Sequence, residues 1–226
     1  MLEECRIGYI SGASDVLPTP HQITLPLLKT LILAQVPGQE ELLSLLVSPS
    51  LETLSSRASL CILSSFITRS KCELHHLDVD ALDGTPEEFI GLLEKTPYLI
   101  KLEASDCDIQ EAFFERLAVM SLMKDGATVS EAFLPLLCML CLTGSPYFKW
   151  SSIPSIFLLK HEGNDFITCP LYFLELTLFF YPEGSEEFVG QTPDVIDADV
   201  KERLLVLQAD GKEIHIISGM DNSSLL

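Results

Sequence analysis

Two short groups of side chains have the types and spacing that could carry out chemistry. Cys138 and Cys141 have the C-x-x-C spacing that holds zinc or forms a redox disulfide, and His75 and His76 with Asp78 resemble a partial metal site. On a strand, successive side chains point to opposite faces, so adjacent residues and residues three apart diverge. If these segments are strands, we expect one core thiol, one surface thiol and solvated histidines.

The sequence contains no G-x-S-x-G, H-E-x-x-H, Walker or G-x-G-x-x-G motif, and no second C-x-x-C pair that would complete a zinc site. We therefore predict that the chain is not an enzyme and has no catalytic residues, no cofactor and no metal. Trp150, in "YFKWSSIPS", is expected to anchor a loop, with contact to a partner as the alternative.

The charge balance argues against two classes of partner. The 226 residues include 14 basic and 33 acidic ones, and the formal net charge is −19. Such a surface repels phosphate backbones and anionic lipids, so we predict neither nucleic-acid nor membrane binding. The longest strongly apolar run, residues 133–142, is about half of the roughly 20 residues that cross a bilayer.

The cysteine usage and the first residues indicate a compartment. The seven cysteines have no regular spacing, which favours reduced thiols over a disulfide framework. The chain opens without the basic and apolar segments of a secretory signal. We predict an intracellular protein, cytoplasmic or nuclear.

A pattern of leucines explains how most of the chain is built. The motif L-x-x-L-x-(apolar) starts at 28, 51, 74 and 99, so its copies are 23, 23 and 25 residues apart, within the roughly 20–29-residue period of leucine-rich repeats. The second leucine and the apolar residue two positions later share one face of a short strand. Two further copies follow at wider intervals, and the predicted repeat strands lie near 28–33, 51–56, 74–79, 99–104, 137–142 and 171–176.

Helical spacing between the strands completes the unit. Residues 84–97 predict a helix with Thr85 as the N-cap and Pro86 in the first turn, and residues 105–120 predict one that opens at Asp108. The sequence thus predicts an α/β fold: one leucine-rich-repeat solenoid over residues 1–226, horseshoe-like, with irregular repeats, a curved parallel sheet and helices on the convex side.

The last part of the chain reads differently. Residues 197–218 predict a helix, with Asp199 able to cap it and Gly211 as its left-handed C-terminal residue, followed by a strand. Together they would form a C-terminal cap on the open end of the sheet. Residues 182–198 are polar and contain glycine and proline, which predicts a long loop.

The order of these motifs resembles the leucine-rich-repeat region of fungal F-box proteins, particularly those expanded in mushroom-forming fungi. The segments that carry the resemblance span most of the chain: "ITLPLLKTLIL" (23–33), "SPSLETLS" (48–55), "FLPLLCMLCLTG" (133–144), "KWSSIPSIF" (149–157) and "DVKERLLVLQADGKEIHI" (199–216). The resemblance implies that the repeats hold a target for ubiquitin transfer, while an N-terminal F-box docks a small cullin-adaptor protein.

Only the repeat half of that function is carried over to this chain. Residues 1–24 lack the Leu-Pro opening and apolar pattern of an F-box, and the first ten residues resemble the tail of a previous repeat. We expect a chain that starts partway through an array and that binds a cullin adaptor only if an F-box is encoded upstream. The alternative is a stand-alone structural or scaffold protein without a ubiquitin role.

The side chains between the leucines would line the concave face of the sheet. They predict a protein-binding surface with a charged centre beside an apolar patch, because protein interfaces combine both. The alternative is that these charges only keep the sheet soluble. The predicted partner-binding residues are His76, Asp78, Asp80, Lys101, Glu103, Ser105, Met139, Phe173 and Glu175.

Overall fold

The fold was analysed in a computed structural model that describes residues 2–8, 22–33, 37–80, 84–119, 133–157, 171–179, 196–219 and 223–226. The chain is an α/β protein in which parallel strands are flanked by helices, so the predicted fold class is confirmed at this level. The strands are β1 (Glu4–Ile7), β2 (Ile23–Thr24), β3 (Thr30–Leu33), β4 (Leu46–Val47), β5 (Thr53–Ser56), β6 (His76–Asp80), β7 (Lys101–Gln110), β8 (Met139–Tyr147), β9 (Phe173–Leu178) and β10 (Glu213–Ser218). The helices are α1 (Gln39–Leu45), α2 (Leu60–Ser70), α3 (Pro86–Leu93), α4 (Glu111–Val119), α5 (Ser152–Ser155) and α6 (Ala198–Ala209).

The main sheet keeps the order of the chain. Within the described ranges it has eight strands in the order β1, β3, β5, β6, β7, β8, β9 and β10, and each pairs in parallel with the next. The short strands β2 and β4 form a separate parallel pair. Each strand of the main sheet therefore lies beside the strands that precede and follow it in that sheet.

The leucines occupy equivalent positions in this sheet. Pairing aligns one buried residue from each of the seven strands β3 and β5 to β10 in a continuous row across the sheet: Leu31, Leu54, Leu77, Leu102, Leu140, Leu174 and Ile214. The leucine three residues earlier in each motif is also buried, with at most 4% of its surface exposed: Leu28, Leu51, Leu74, Leu99, Leu137 and Leu171. Burial of a leucine contributes roughly 1.5–3 kcal/mol, so these rows are the main source of stability.

Backbone hydrogen bonds tie the strand-entry turns to one another. The His75 N–H donates to the Glu52 carbonyl at 2.8 Å, the Ile100 N–H to the His75 carbonyl at 2.8 Å, and the Cys138 N–H to the Ile100 carbonyl at 2.8 Å. The parallel ladder thus begins one residue before the strands themselves, and it fixes their register at this edge.

Helix α3 begins as its sequence predicts. Thr85 is the N-cap: its hydroxyl accepts the Glu88 N–H at 3.2 Å, while the Glu88 carboxylate accepts the Thr85 N–H at 2.8 Å, and Pro86 occupies the first turn. This reciprocal pair satisfies two amides that the helix leaves unbonded. The predicted N-cap is confirmed.

Two other predicted helix starts are wrong. Asp108 lies in β7, which continues to Gln110 after a register shift against β8, so α4 begins only at Glu111. Asp197 occupies the N-cap position of α6, where its side chain makes no capping hydrogen bond, and Asp199 lies in the first turn. For α4, the pairing of β7 with β8 sets where the helix begins, and Asp108 does not. Gly211 has φ of 89°, as expected for the residue that ends α6.

The last strand is covered by the chain that follows it. Strand β10 pairs on one side with β9, and on its other side the Leu225 N–H donates to the Ile216 carbonyl at 2.9 Å and the Ser218 N–H to the Ser223 carbonyl at 2.9 Å. The predicted loop at 182–198 lies outside the described residues up to 195. None of the helices in the described ranges combines the length and apolar character needed to cross a bilayer.

A buried hydroxyl behind the sheet gives a first testable expectation. Ser48 is fully buried, its N–H donates to the Ser70 hydroxyl at 3.1 Å, and its own Oγ finds no hydrogen-bond partner within the described structure. We expect Ser48→Ala to leave the free energy of unfolding unchanged or to raise it by up to about 1 kcal/mol, because an unsatisfied hydroxyl is replaced by a methyl group. Urea denaturation would measure the change.

Ser70→Ala is the matched variant for this experiment. It removes the acceptor of the buried Ser48 N–H, so we expect it to destabilise the protein by about 1 kcal/mol or more. A loss of stability in Ser48→Ala as large as that in Ser70→Ala would contradict this description of the Ser48 hydroxyl.

Candidate protein-binding face

The side chains that alternate with the buried leucines form the open face of the sheet. We use this name for the partly exposed residues of β5 to β10 that point away from the core. All nine predicted partner-binding residues lie on it, and each is partly exposed: His76, Asp78, Asp80, Lys101, Glu103, Ser105, Met139, Phe173 and Glu175.

Parallel pairing arranges these residues in rows across the strands. One row contains, in order, His76, Lys101, Met139 and Phe173. The next row contains Asp78, Glu103, Cys141 and Glu175, and a third begins with Asp80 and Ser105. Neighbouring parallel strands lie about 4.8 Å apart, so side chains that are 25 or more residues apart in sequence become neighbours.

Glu103 is the centre of the charged part of the open face. Its Oε2 lies 2.6 Å from His76 Nε2, and its Oε1 lies 3.0 Å from Lys101 Nζ. Burial raises the pKa of Glu103, but the hydrogen bonds from Lys101 and His76 and the charges of both side chains outweigh it, so that the pKa is lowered from its ordinary value. The carboxylate is therefore ionised and engaged on both oxygens.

This arrangement predicts how stability depends on pH. A carboxyl group whose pKa is lower in the folded state adds stability above its unfolded pKa, near 4.5, and loses that stability as the pH falls through the folded value. Glu103→Gln should lower the free energy of unfolding by about 1 kcal/mol at pH 7, because charge-assisted hydrogen bonds are lost. Denaturation at pH 7 and at pH 3 would measure this effect. The difference in the free energy of unfolding between Glu103→Gln and the wild type should be smaller at pH 3.

Glu202→Gln provides the control for a change in net charge. Glu202 is exposed on α6, away from the open face, and its substitution removes the same formal charge. A Glu103→Gln effect that is the same at both pH values, or that Glu202→Gln reproduces, would contradict the role of the Glu103 contacts.

Two more carboxylates of the open face are engaged by the preceding strand. The Ser55 hydroxyl donates to Asp78 Oδ2 at 2.7 Å, and Arg57 forms an ion pair with Asp80. The charged centre thus consists of three separate groups of contacts: Ser55 with Asp78, Arg57 with Asp80, and Glu103 with His76 and Lys101. It holds these side chains in defined positions, which limits the entropy lost when a partner binds.

At the edge of the charged centre the open face forms a cavity whose lining mixes polar side chains such as Asp78 with apolar ones such as Met139 and Phe173. The cavity has a volume of about 400 Å³ and opens between Lys101 and Glu103 on one side and Met139, Phe173 and Glu175 on the other. It is an open depression in a sheet surface, which suits a side chain of a partner better than a fully enclosed small molecule.

Cys141 lies in this cavity as a neutral thiol. Burial raises its pKa to about 11, with a further contribution from the negative charges of Glu103 and Glu175, and Lys101 acts in the opposite direction. Because the thiolate is the nucleophilic form, Cys141 is unreactive near neutral pH and acts as an apolar part of the wall.

Strand β10 adds two residues that sequence reasoning did not assign to the site. Pairing with β9 sets Glu213 beside Phe173 and His215 beside Glu175, and the His215 ring lies 5.7 Å from that of Phe173, tilted by 44°. The alternation in "KEIHII" was the available signal, but that strand was interpreted only as part of a cap. The open face extends one strand further than predicted.

The two groups that suggested metal or redox chemistry do not form such a site. Cys138 and Cys141 are free thiols, and the Cys138 thiol donates to the Leu136 carbonyl at 3.3 Å. Of the paired histidines, His76 contacts Glu103. Among the described residues no three His, Cys, Asp or Glu side chains lie close enough together to hold a metal ion. Trp150 packs edge-on against Phe148, with ring centroids 5.5 Å apart.

Comparison with known proteins finds no protein-family model, no curated protein and no solved structure that matches this chain. Its function is therefore inferred from the geometry, charge and packing of the open face.

Proposed function

We propose that this chain is an irregular leucine-rich-repeat solenoid that binds a protein partner on its open face. In this proposal it is the substrate-recognition part of an F-box ubiquitin-ligase adaptor. The observation that carries the proposal is the strand register, which sets equivalent residues of the six L-x-x-L-x-(apolar) motifs side by side.

Two features support the repeat architecture. The leading leucine of each motif is buried just before its strand, and the strands follow one another across the sheet in chain order. A fold built from repeats is expected to contact mainly its nearest neighbours in this way.

The composition of the open face supports a protein as the ligand. Charged side chains held by Glu103 lie beside Met139 and Phe173, and protein interfaces combine an apolar, often aromatic, centre with a polar surround. The surface is broad and shallow, as expected for recognition of a segment of another protein.

The titratable groups of the cavity favour binding over catalysis. The Cys141 thiol has its pKa raised to about 11, and the pKa of Glu103 is lowered. A nucleophile needs the opposite shift, and a general acid or base works best with a pKa near the operating pH. These directions support a non-enzymatic role.

The connection to ubiquitin transfer is supported by the resemblance of the quoted motifs to the repeats of fungal F-box proteins. The alternative, a stand-alone scaffold, would use the same open face without a cullin adaptor. Expression of the complete gene product separates the two, because an F-box adaptor co-purifies with the cullin adaptor and a scaffold does not.

Variants of the open face test the binding function. Proteins that cross-link to the wild-type chain in cells should no longer cross-link to a variant that combines Asp78→Lys and Met139→Arg. The two substitutions change the charge and the side-chain volume at the centre of the open face. Glu202→Lys on the exposed side of α6 is the control and should retain the cross-linked proteins. Partners captured equally well by the double variant would contradict the proposal.

A further inference from the structure

We propose that the partner presents a lysine or arginine side chain whose cationic group lies against the Phe173 ring, near Glu175 and Glu213. This inference rests on the proposed function and names the chemistry of the partner. It follows from three observations: the charge balance of the open face, the position of Phe173 and the nature of the cavity beside it.

The charge balance leaves carboxylates without a cation. The three rows described above, with their extension to Arg57 and to β10, carry five carboxylates and two side chains that are always cationic: Asp78, Asp80, Glu103, Glu175 and Glu213 against Arg57 and Lys101. Two more exposed carboxylates, Asp106 and Asp108, lie further along β7. Both cations are already engaged, Arg57 by Asp80 and Lys101 by Glu103. Three of these carboxylates therefore have no ion pair with Arg57 or Lys101: Asp78, which accepts the neutral Ser55 hydroxyl, and Glu175 and Glu213 at the other end of the face.

The strand register puts the last two of these carboxylates next to one aromatic ring, and it also sets His215 beside Glu175, with its ring 5.7 Å from that of Phe173. Glu213 is the direct neighbour of Phe173 on β10, and Glu175 follows Phe173 by two residues on the same face of β9. An aromatic ring attracts a cation to its face, and adjacent carboxylates strengthen that attraction. Phe173 with its two carboxylates is thus arranged to receive a positive charge.

The remaining neighbours suit the stem of a basic side chain. Met139 lies beside Phe173 in the same row, and Cys141 lies beside Glu175. Lysine and arginine bury their methylene groups against apolar surface while their charge stays near polar groups. The pKa of Cys141 is raised mainly by burial, and the negative charges of Glu103 and Glu175 add to this effect.

Two other ligand classes fit less well. A metal ion needs several converging ligands, and no such group exists among the described residues. An anionic or phosphorylated segment would meet the carboxylates of Glu175 and Glu213, and the net charge of −19 would oppose its approach.

Selection of peptides provides the test. The full chain is immobilised, and twelve-residue peptides are selected from a random display library. We expect the selected peptides to be enriched in lysine or arginine, and synthetic copies should bind about tenfold more weakly to Glu175→Gln. Phe173→Leu, which keeps an apolar side chain but removes the ring, should also weaken binding several-fold. Glu202→Gln, which removes a charge from α6, should have no effect.

A double-mutant cycle identifies the contact. Lysine replaced by norleucine, or arginine by citrulline, should weaken binding to the wild type as much as Glu175→Gln does, and should weaken binding to Glu175→Gln little further. Additive losses would overturn the proposed contact.

The outcomes distinguish this inference from the proposed function. Selected peptides that are not basic, but that lose binding to the combined Asp78→Lys and Met139→Arg variant, would overturn the basic side chain and support the open face as a binding surface. Peptides that bind the double variant as well as the wild type, or no recovered binders, would count against both.

Discussion

Leu102→Asp is expected to abolish the cooperative thermal unfolding transition of this protein. Leu102 is fully buried, and its strand pairing sets it between Leu77 and Leu140 in the row of leucines across the sheet. An ionised carboxylate there would lose its hydration without gaining a cation or a hydrogen-bond donor. The free-energy cost of such an unpaired buried charge is large compared with the total stability of a domain, which is typically about 5–15 kcal/mol. Circular dichroism with heating would measure the transition.

Ile100→Asp is the matched control for this experiment. Ile100 lies two residues earlier in the same segment, but 41% of its side chain surface is exposed. The same aspartate there keeps its hydration, so we expect a loss of at most about 1 kcal/mol. A Leu102→Asp protein that melts at the wild-type temperature would show that Leu102 is not in the core.

Phe114→Ala is expected to lower the free energy of unfolding by about 3–5 kcal/mol, the usual cost of truncating a buried phenylalanine. Phe114 is fully buried in α4, and its ring meets Phe148 edge-on with centroids 4.8 Å apart and Phe113 at 5.5 Å. The lost ring leaves a cavity between α4 and the segment after β8. Urea denaturation followed by the fluorescence of Trp150 would report the change, because Trp150 packs against Phe148.

Tyr98→Ala tests whether loss of any aromatic ring has this effect. Tyr98 is 46% exposed, so its truncation leaves no enclosed cavity, and we expect a change within about 1 kcal/mol. A Phe114→Ala protein that loses less than Tyr98→Ala would contradict the packing of α4 described above.

The parallel sheet could be predicted from sequence because its signal is repeated. One leucine motif is weak, but copies such as those beginning at Leu74 and Leu99 place apolar residues at the same offsets and leave most of the intervening positions polar. The capping box at Thr85 was also readable, because it depends on residues within one turn. The partner-binding role of the nine residues stays a prediction.

Features that depend on pairing between distant segments could not be predicted. The contact between His76 and Glu103 joins residues 27 apart in sequence, and it requires the register of β6 and β7. The extension of β7 through Asp108 depends on β8 as its partner, so local capping rules gave the wrong helix start. Helix α2 is absent from the sequence predictions, although its buried residues Leu60, Leu63 and Ile67 already have helical spacing.

The agreement between chain order and strand order in the main sheet has a consequence for synthesis on the ribosome. Each strand needs only its predecessor in that sheet as a template, so no pairing must wait for the far end of the polypeptide. Contacts that are local in sequence form quickly, and domains are generally structured from the N-terminal side as they emerge. We expect the nascent chain to add one strand at a time and to expose only a single growing edge, which the C-terminal residues cover last.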